Sequence, residues 1–173
     1  MNLRLTSVTL ALLATITLTF AADKPDFTEP GPDVIVKQLY KANDAGEGPF
    51  HDRENPKLLK QYFTKELAML IRKDAVQPAG EVSAYDFDPL YESQDPQTKN
   101  FKIGQVQRGG VSKPKDKGPD DRLRIVPVTF TDYGKRRFIR FLCEQQADKS
   151  WKIADVIYSD SNTLTRMIRD SYK

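Results

Sequence analysis

Few side chains in this 173-residue sequence are placed to do chemistry, and Asp155 is the first of them. It sits in the stretch Trp151-Lys-Ile-Ala-Asp155-Val-Ile-Tyr158, where regular alternation along a strand would put it on one face with Trp151, Ile153 and Ile157. That face is apolar and should point inward. An inward carboxylate is costly unless it is partnered, and a sheltered one can serve as a general base. An ion pair with Arg140 or Arg166, or a capped backbone amide, accounts for the same residue without catalysis and is the preferred reading.

Other chemistry is thinner. Asp86, Asp88 and Asp95 alternate in a way that hints at a calcium loop. Pro89-Leu-Tyr91 falls where such a loop needs ligands and a glycine, so turn and cap roles are favoured. His51 is the one histidine and Cys143 the one cysteine, so no zinc site of three or four nitrogen and sulfur ligands can be built within one chain. Cys143 lies in Phe138-Ile-Arg-Phe-Leu-Cys143, a strand-like run in which a thiol behaves as a small hydrophobe. No glycine elbow surrounds a serine, and neither a phosphate-cradling loop nor a dinucleotide fingerprint is present. No cofactor and no metal are therefore expected. Basic residues gather at Lys113, Lys115 and Lys117 and again at Lys135, Arg136, Arg137 and Arg140, where a solvated hairpin tip is the default reading against an acidic partner or lipid headgroups.

The elements that must position these residues start after an N-terminal leader. Arg4, an uncharged run over residues 5–20 and Ala21-Ala22 have the layout of a secretory signal, cut near Ala21 or Ala22. The run is short for the roughly 20 residues of a membrane span and is diluted by threonines, so no span is expected after cleavage. Export implies a periplasmic or secreted protein. The domain division is then 1–22 signal peptide, 23–32 flexible leader and 33–173 one α+β domain. The whole chain carries a formal charge of +3, and Arg4 leaves with the leader. So small a bias gives no reason to expect nucleic acid as a partner.

Helical spacing marks residues 33–42. Asn55-Pro56 caps and opens a second helix, and the apolar positions from Leu58 to Ile71 continue it, with a bend at Phe63-Thr64 where Thr64 is a fresh cap. Pro78 and Gly80 should end the helices. Turn chemistry fills residues 81–100, and a first strand runs from Phe101 to Val106 and ends at Gly109-Gly110. Residues 111–121 read as a loop. Strands at 122–131, 136–145 and 151–158, joined by short turns, must be antiparallel neighbours. Ser161 or Asn162 caps a closing helix through Leu164, Met167 and Ile168.

Trp151-Lys-Ile-Ala-Asp155-Val-Ile-Tyr158 with Thr163-Leu-Thr-Arg166, together with Phe63-Thr-Lys-Glu-Leu67, Asp88-Pro89 and Gln94-Asp95, resembles a bacterial family of exported domains of unknown function. That family is assigned the cone-shaped, cystatin-like fold named after nuclear transport factor two. The resemblance implies helices packed on a curved antiparallel sheet and an extracytoplasmic address, and it implies no activity. Some enzymes of the cone fold carry an acid on the inner wall of the sheet.

The sequence thus points to a non-enzymatic extracytoplasmic binding domain with a concave pocket. Tyr62, Phe130, Phe141, Trp151 and Ile153 would line it and Asp155 would orient the ligand, an unidentified small molecule or protein. Two rivals stand beside it. One is a small acid-base enzyme using Asp155, and the other is an inhibitor or immunity-type protein that binds another protein.

Overall fold

The computed structural model describes residues 30–77, 83–109 and 121–172. Residues 1–29 lie outside them, as do Pro78, Gly80 and nearly all of the loop at 111–121; of the expected flexible leader only residues 30–32 are described, and Pro32 already belongs to the first helix. Helix α1 (Pro32–Asp44) starts on a proline, whose missing N–H is one of the donors a helix start leaves unpaired, and buries Val36, Leu39, Tyr40 and Asn43. Helix α2 (Pro56–Tyr62) is capped by Asn55, whose side chain accepts from the Lys57 and Leu58 amides, and α3 (Lys65–Ala75) is capped by Thr64. The bend expected at Phe63-Thr64 is thus a true break between two helices. It is fixed from outside: the Thr64 N–H donates to the Ile153 carbonyl (2.9 Å), so the junction hydrogen-bonds to the sheet.

The sheet comprises β1 (Thr98–Ile103), β2 (Gln107–Arg108), β3 (Leu123–Asp132), β4 (Lys135–Gln145), β5 (Trp151–Ser159) and β6 (Asn162–Thr163). All neighbours are antiparallel, in the order β1-β3-β4-β5-β6, with β2 pairing on β3 beyond β1. Irregularities between Lys99 and Lys102, at Ala154, and between Ile157 and Ser159 bend the sheet, as extra residues in one strand do. Helix α4 (Leu164–Asp170) closes the chain. The helices cover one face, and between the layers lies a core that includes Leu39, Leu59, Leu67, Ile71, Val128, Ile139, Phe141, Ile153 and Ile168. Each fully buried aliphatic side chain there contributes about 1.5–3 kcal/mol. This is the α+β arrangement expected, helices first and then a curved antiparallel meander.

Four details differ from the sequence reading. The first strand begins at Thr98 and is interrupted after Ile103. Gly104 passes so close to Pro127 that a Cβ would meet the proline ring at 2.9 Å, and the chain resumes pairing only as β2. Helix α3 ends at Ala75, ahead of Pro78 and Gly80. The cap of α4 is Thr163, accepting from the Arg166 amide, because Asn162 and Thr163 are first drawn into pairing with β5 and Ser161 is left in the turn. Finally, β5 does not alternate through its whole length. The register shift at Ala154, opposite the Leu142–Cys143 step of β4, resets its parity, so Ile153 and Val156 are the buried residues, and Asp155 and Ile157 fall on the outer face with Leu142 and Arg140.

Candidate functional site

The sequence-derived site residues separate in three dimensions. Tyr62, Phe130, Phe141 and Ile153 are core, with Phe130 edge-on to Tyr91 (5.5 Å) and Phe141 edge-on to Tyr40 (5.7 Å). Trp151 is half-buried beside a shallow groove of about 440 Å³ that Val34, Ile35 and Gln38 of α1 share, with the Arg124 guanidinium 5.9 Å from its ring. Asp155 stands apart from all of these. One carboxylate oxygen accepts from the Val156 amide (2.9 Å) and from the Thr165 amide (3.0 Å), which ties the start of α4 to β5. Arg140 and Arg166, its expected partners, are instead paired with Asp160 and Asp170. The amide-capping alternative is the one the structure realises.

A different set of polar groups converges. The C-terminal end of α1, the loop 45–55 and the loop 83–97 enclose a cleft of about 340 Å³, lined by Asn43, Phe50, His51, Arg53, Tyr85, Asp86, Phe87 and Asp88 among others. Close approach of loop to helix depends on Gly48, where a Cβ would lie 2.8 Å from the Asn43 Cα. The second loop is pinned to the core by two phenols. Tyr40 donates to the Leu90 carbonyl (2.7 Å) and Tyr158 donates to the Pro89 carbonyl (2.9 Å). Tyr91 reaches back to the Asp44 carboxylate at the end of α1.

Within the cleft, Asp88 accepts from the Leu90 amide through one oxygen and from the Asn43 side chain through the other, both at 2.8 Å. Burial holds its carboxyl above the ordinary carboxylate value, and these two hydrogen bonds offset part of the shift. The His51 ring nitrogen Nε2 meets the Asn43 carbonyl at 3.0 Å, so the imidazole is oriented by backbone rather than by an acid. Arg53 enters from the other side, paired with Asp74 at 3.0 Å. Asp74 is almost fully buried and completely satisfied: it also accepts from Ser83 (2.6 Å), the Ala84 amide (2.8 Å) and Gln77 (3.2 Å). That network is the strut beneath the cleft.

Two groups in the same wall are not satisfied. The Asn43 Oδ1 and the Tyr85 hydroxyl are buried and meet no hydrogen-bond partner. Burial pushes the Tyr85 phenol up to about 12, with the Arg53 guanidinium, 5.2 Å from its ring, drawing it back down. Arg53 acts on the phenol first through a side-chain contact of hydrogen-bonding type and then through its charge, although that contact falls outside full hydrogen-bond geometry. A buried polar atom without a partner costs about 1–3 kcal/mol and calls for an explanation. Phe50 and Phe87 supply apolar walls, and Asp86, held by Gln94 at 3.0 Å, stands at the exposed rim. Among the described residues no cluster of three or more His, Cys, Asp or Glu could hold a metal ion. Cys143 is buried in the core, with its thiol pushed well above the usual value by desolvation.

Sequence reasoning met several of these residues and set them aside as loop chemistry. The usable signal was two short stretches, Pro49-Phe-His-Asp52 and Tyr85-Asp-Phe-Asp88, each mixing aromatics with acids inside a loop. Their convergence on Asn43 is a fact of tertiary structure.

The class the fold and cleft define is therefore an α+β domain with an open cleft of mixed polar and apolar lining between helix and loops. No family model matches the chain, and no curated protein matches it. Among solved structures, the chain is similar to a phospholipid-binding protein from Ralstonia solanacearum in complex with a phospholipid. The two are 15% identical, with a TM-score of 0.36, over 82% of this chain and 74% of that one. No helix among the described residues is long and apolar enough to cross a membrane.

Proposed function

We propose that this chain is an exported, non-enzymatic binding domain that holds a small polar ligand in the cleft between the end of α1 and the loops 45–55 and 83–97. The carrying observation is the pair of orphaned buried atoms, Asn43 Oδ1 and the Tyr85 hydroxyl, in one wall of one cleft. An acceptor and a hydroxyl left unpaired, beside the Asp86 and Asp88 carboxylates and two phenylalanines, suit a compact ligand that presents N–H or O–H donors and an apolar edge. The signal layout of the first 22 residues and the resemblance carried by Trp151-Lys-Ile-Ala-Asp155 support the extracytoplasmic half of the reading.

The binding reading is favoured over the acid-base alternative because one Asp155 oxygen is already held by the Val156 and Thr165 amides, away from the cleft. Ligand-observed saturation-transfer NMR on the chain from Asp23 onward, against monosaccharides, polyols and primary amines, tests the binding reading. Saturation of at least one class, lost in Tyr85→Phe while the fold persists, supports it. No transfer from any class, together with no co-purifying small molecule in native mass spectrometry, overturns it.

A further inference from the structure

The outer face of the sheet, opposite the helices, carries a feature the cleft does not use. Register places Lys99, Thr131 and Arg136 in one cross-strand row and Lys102, Thr129 and Phe138 in the next, so all six side chains leave the sheet on the same side. Phe138 is 51% exposed, and Tyr133, at the tip of the β3–β4 hairpin, is 58% exposed. The hairpin turn is a two-residue one in which Tyr133 and Gly134 have φ of 46° and 77°, the primed geometry that asparagine and glycine fill at least cost. A tyrosine there carries backbone strain while most of its ring faces solvent. Lys99, Lys102 and Arg136 are exposed and meet no carboxylate among the described residues, while the next cation of β4 on the same face, Arg140, is already held by Asp160 at 2.8 Å.

We infer that this hairpin face docks the protein on an anionic lipid bilayer, with Tyr133 and Phe138 seated at headgroup level and Lys99, Lys102 and Arg136 reaching lipid phosphates. Charge complementarity is the first argument. Unpaired cations beside exposed aromatics form the combination that lipid interfaces select, since amphipathic rings settle at the boundary and long basic side chains extend to the phosphates. Relief is the second. The groups between the cations are the small, half-buried Thr129 and Thr131 side chains. A protein partner needs interdigitating pockets and knobs, whereas a bilayer surface needs none. The inference stands independently of the cleft.

Vesicle co-sedimentation tests it, using the chain from Asp23 onward, which carries every described element. Vesicles of phosphatidylglycerol with phosphatidylcholine should bind the protein at low salt, pure phosphatidylcholine should not, and binding should fall as salt is raised. The triple change Lys99→Gln, Lys102→Gln and Arg136→Gln should weaken binding about 100-fold, at about fivefold per cation. Tyr133→Asn should weaken it while leaving the melting temperature unchanged or raised, an outcome a merely structural tyrosine would not give. Absence of binding to phosphatidylglycerol vesicles at low salt, binding indifferent to all four substitutions, or capture of an acidic protein by a surface that ignores vesicles, would each overturn the inference.

Discussion

Replacing Tyr85 by phenylalanine removes one oxygen and leaves the ring in place, so it isolates what the free hydroxyl does. The side chain is 8% exposed, its ring stacks at a tilt on Phe87 (5.9 Å) and under the Arg53 guanidinium (5.2 Å), and its hydroxyl meets no group in full hydrogen-bond geometry. Deleting an unpaired buried hydroxyl relieves its desolvation cost, so Tyr85→Phe should stabilise the fold by about 1 kcal/mol. For a domain of this size, that raises the melting temperature by about 2–4 °C. Tyr40→Phe is the matched control. Tyr40 is just as buried but donates to the Leu90 carbonyl at 2.7 Å, so the same atomic change orphans that carbonyl and should cost about 1–2 kcal/mol. Urea unfolding followed by circular dichroism gives both values on one scale. The opposite signs follow from pairing alone. If Tyr85→Phe loses as much stability as Tyr40→Phe, the hydroxyl is structural, and the argument that the cleft holds it in reserve for a ligand collapses.

Other consequences are equally direct. Asp74→Ala strips the acceptor from Arg53, Ser83, Gln77 and the Ala84 amide together, and should cost about 3 kcal/mol in urea unfolding; a loss under 1 kcal/mol would mean the network is not the support of the cleft. Cys143 should resist iodoacetamide in the native chain at pH 8 and react promptly in urea, as whole-protein mass would show, because both burial and a raised thiol withhold the thiolate. Asp88 binds its proton more tightly folded than unfolded. Stability contributed by this residue is therefore present below the ordinary carboxylate value and lost as pH rises through its raised folded value. Chemical denaturation across that window should show the wild type losing stability relative to Asp88→Asn as pH increases, and a difference that is flat with pH would contradict the assignment.

The sequence by itself determined the local elements. Asn55-Pro56 and Thr64 announce two helices and the break between them, because a side-chain acceptor can meet the first free amides of a helix with no help from distant residues. Strands β3, β4 and β5 were legible for a similar reason: long apolar runs broken by turns of a few residues leave an antiparallel meander as the natural pairing. The burial of Cys143 followed from its place in such a run. What failed was anything that depended on register or on non-local approach. Alternation assigned Asp155 to the inner face, but one irregularity at Ala154, set by how β5 pairs with β4, reverses every side chain beyond it. Tyr62, Phe130, Phe141 and Ile153 were rightly seen as inward-facing, yet inward here means packed solid, because the helices fill the hollow of the sheet. The cleft came instead from Asn43, His51, Arg53, Tyr85 and Asp88, whose nearness depends on Gly48 letting a loop touch α1 and on two phenols clamping another loop to the core. Spacing along the chain carries no record of that closure, since contacts between segments 30 to 50 residues apart are decided by packing of the whole domain.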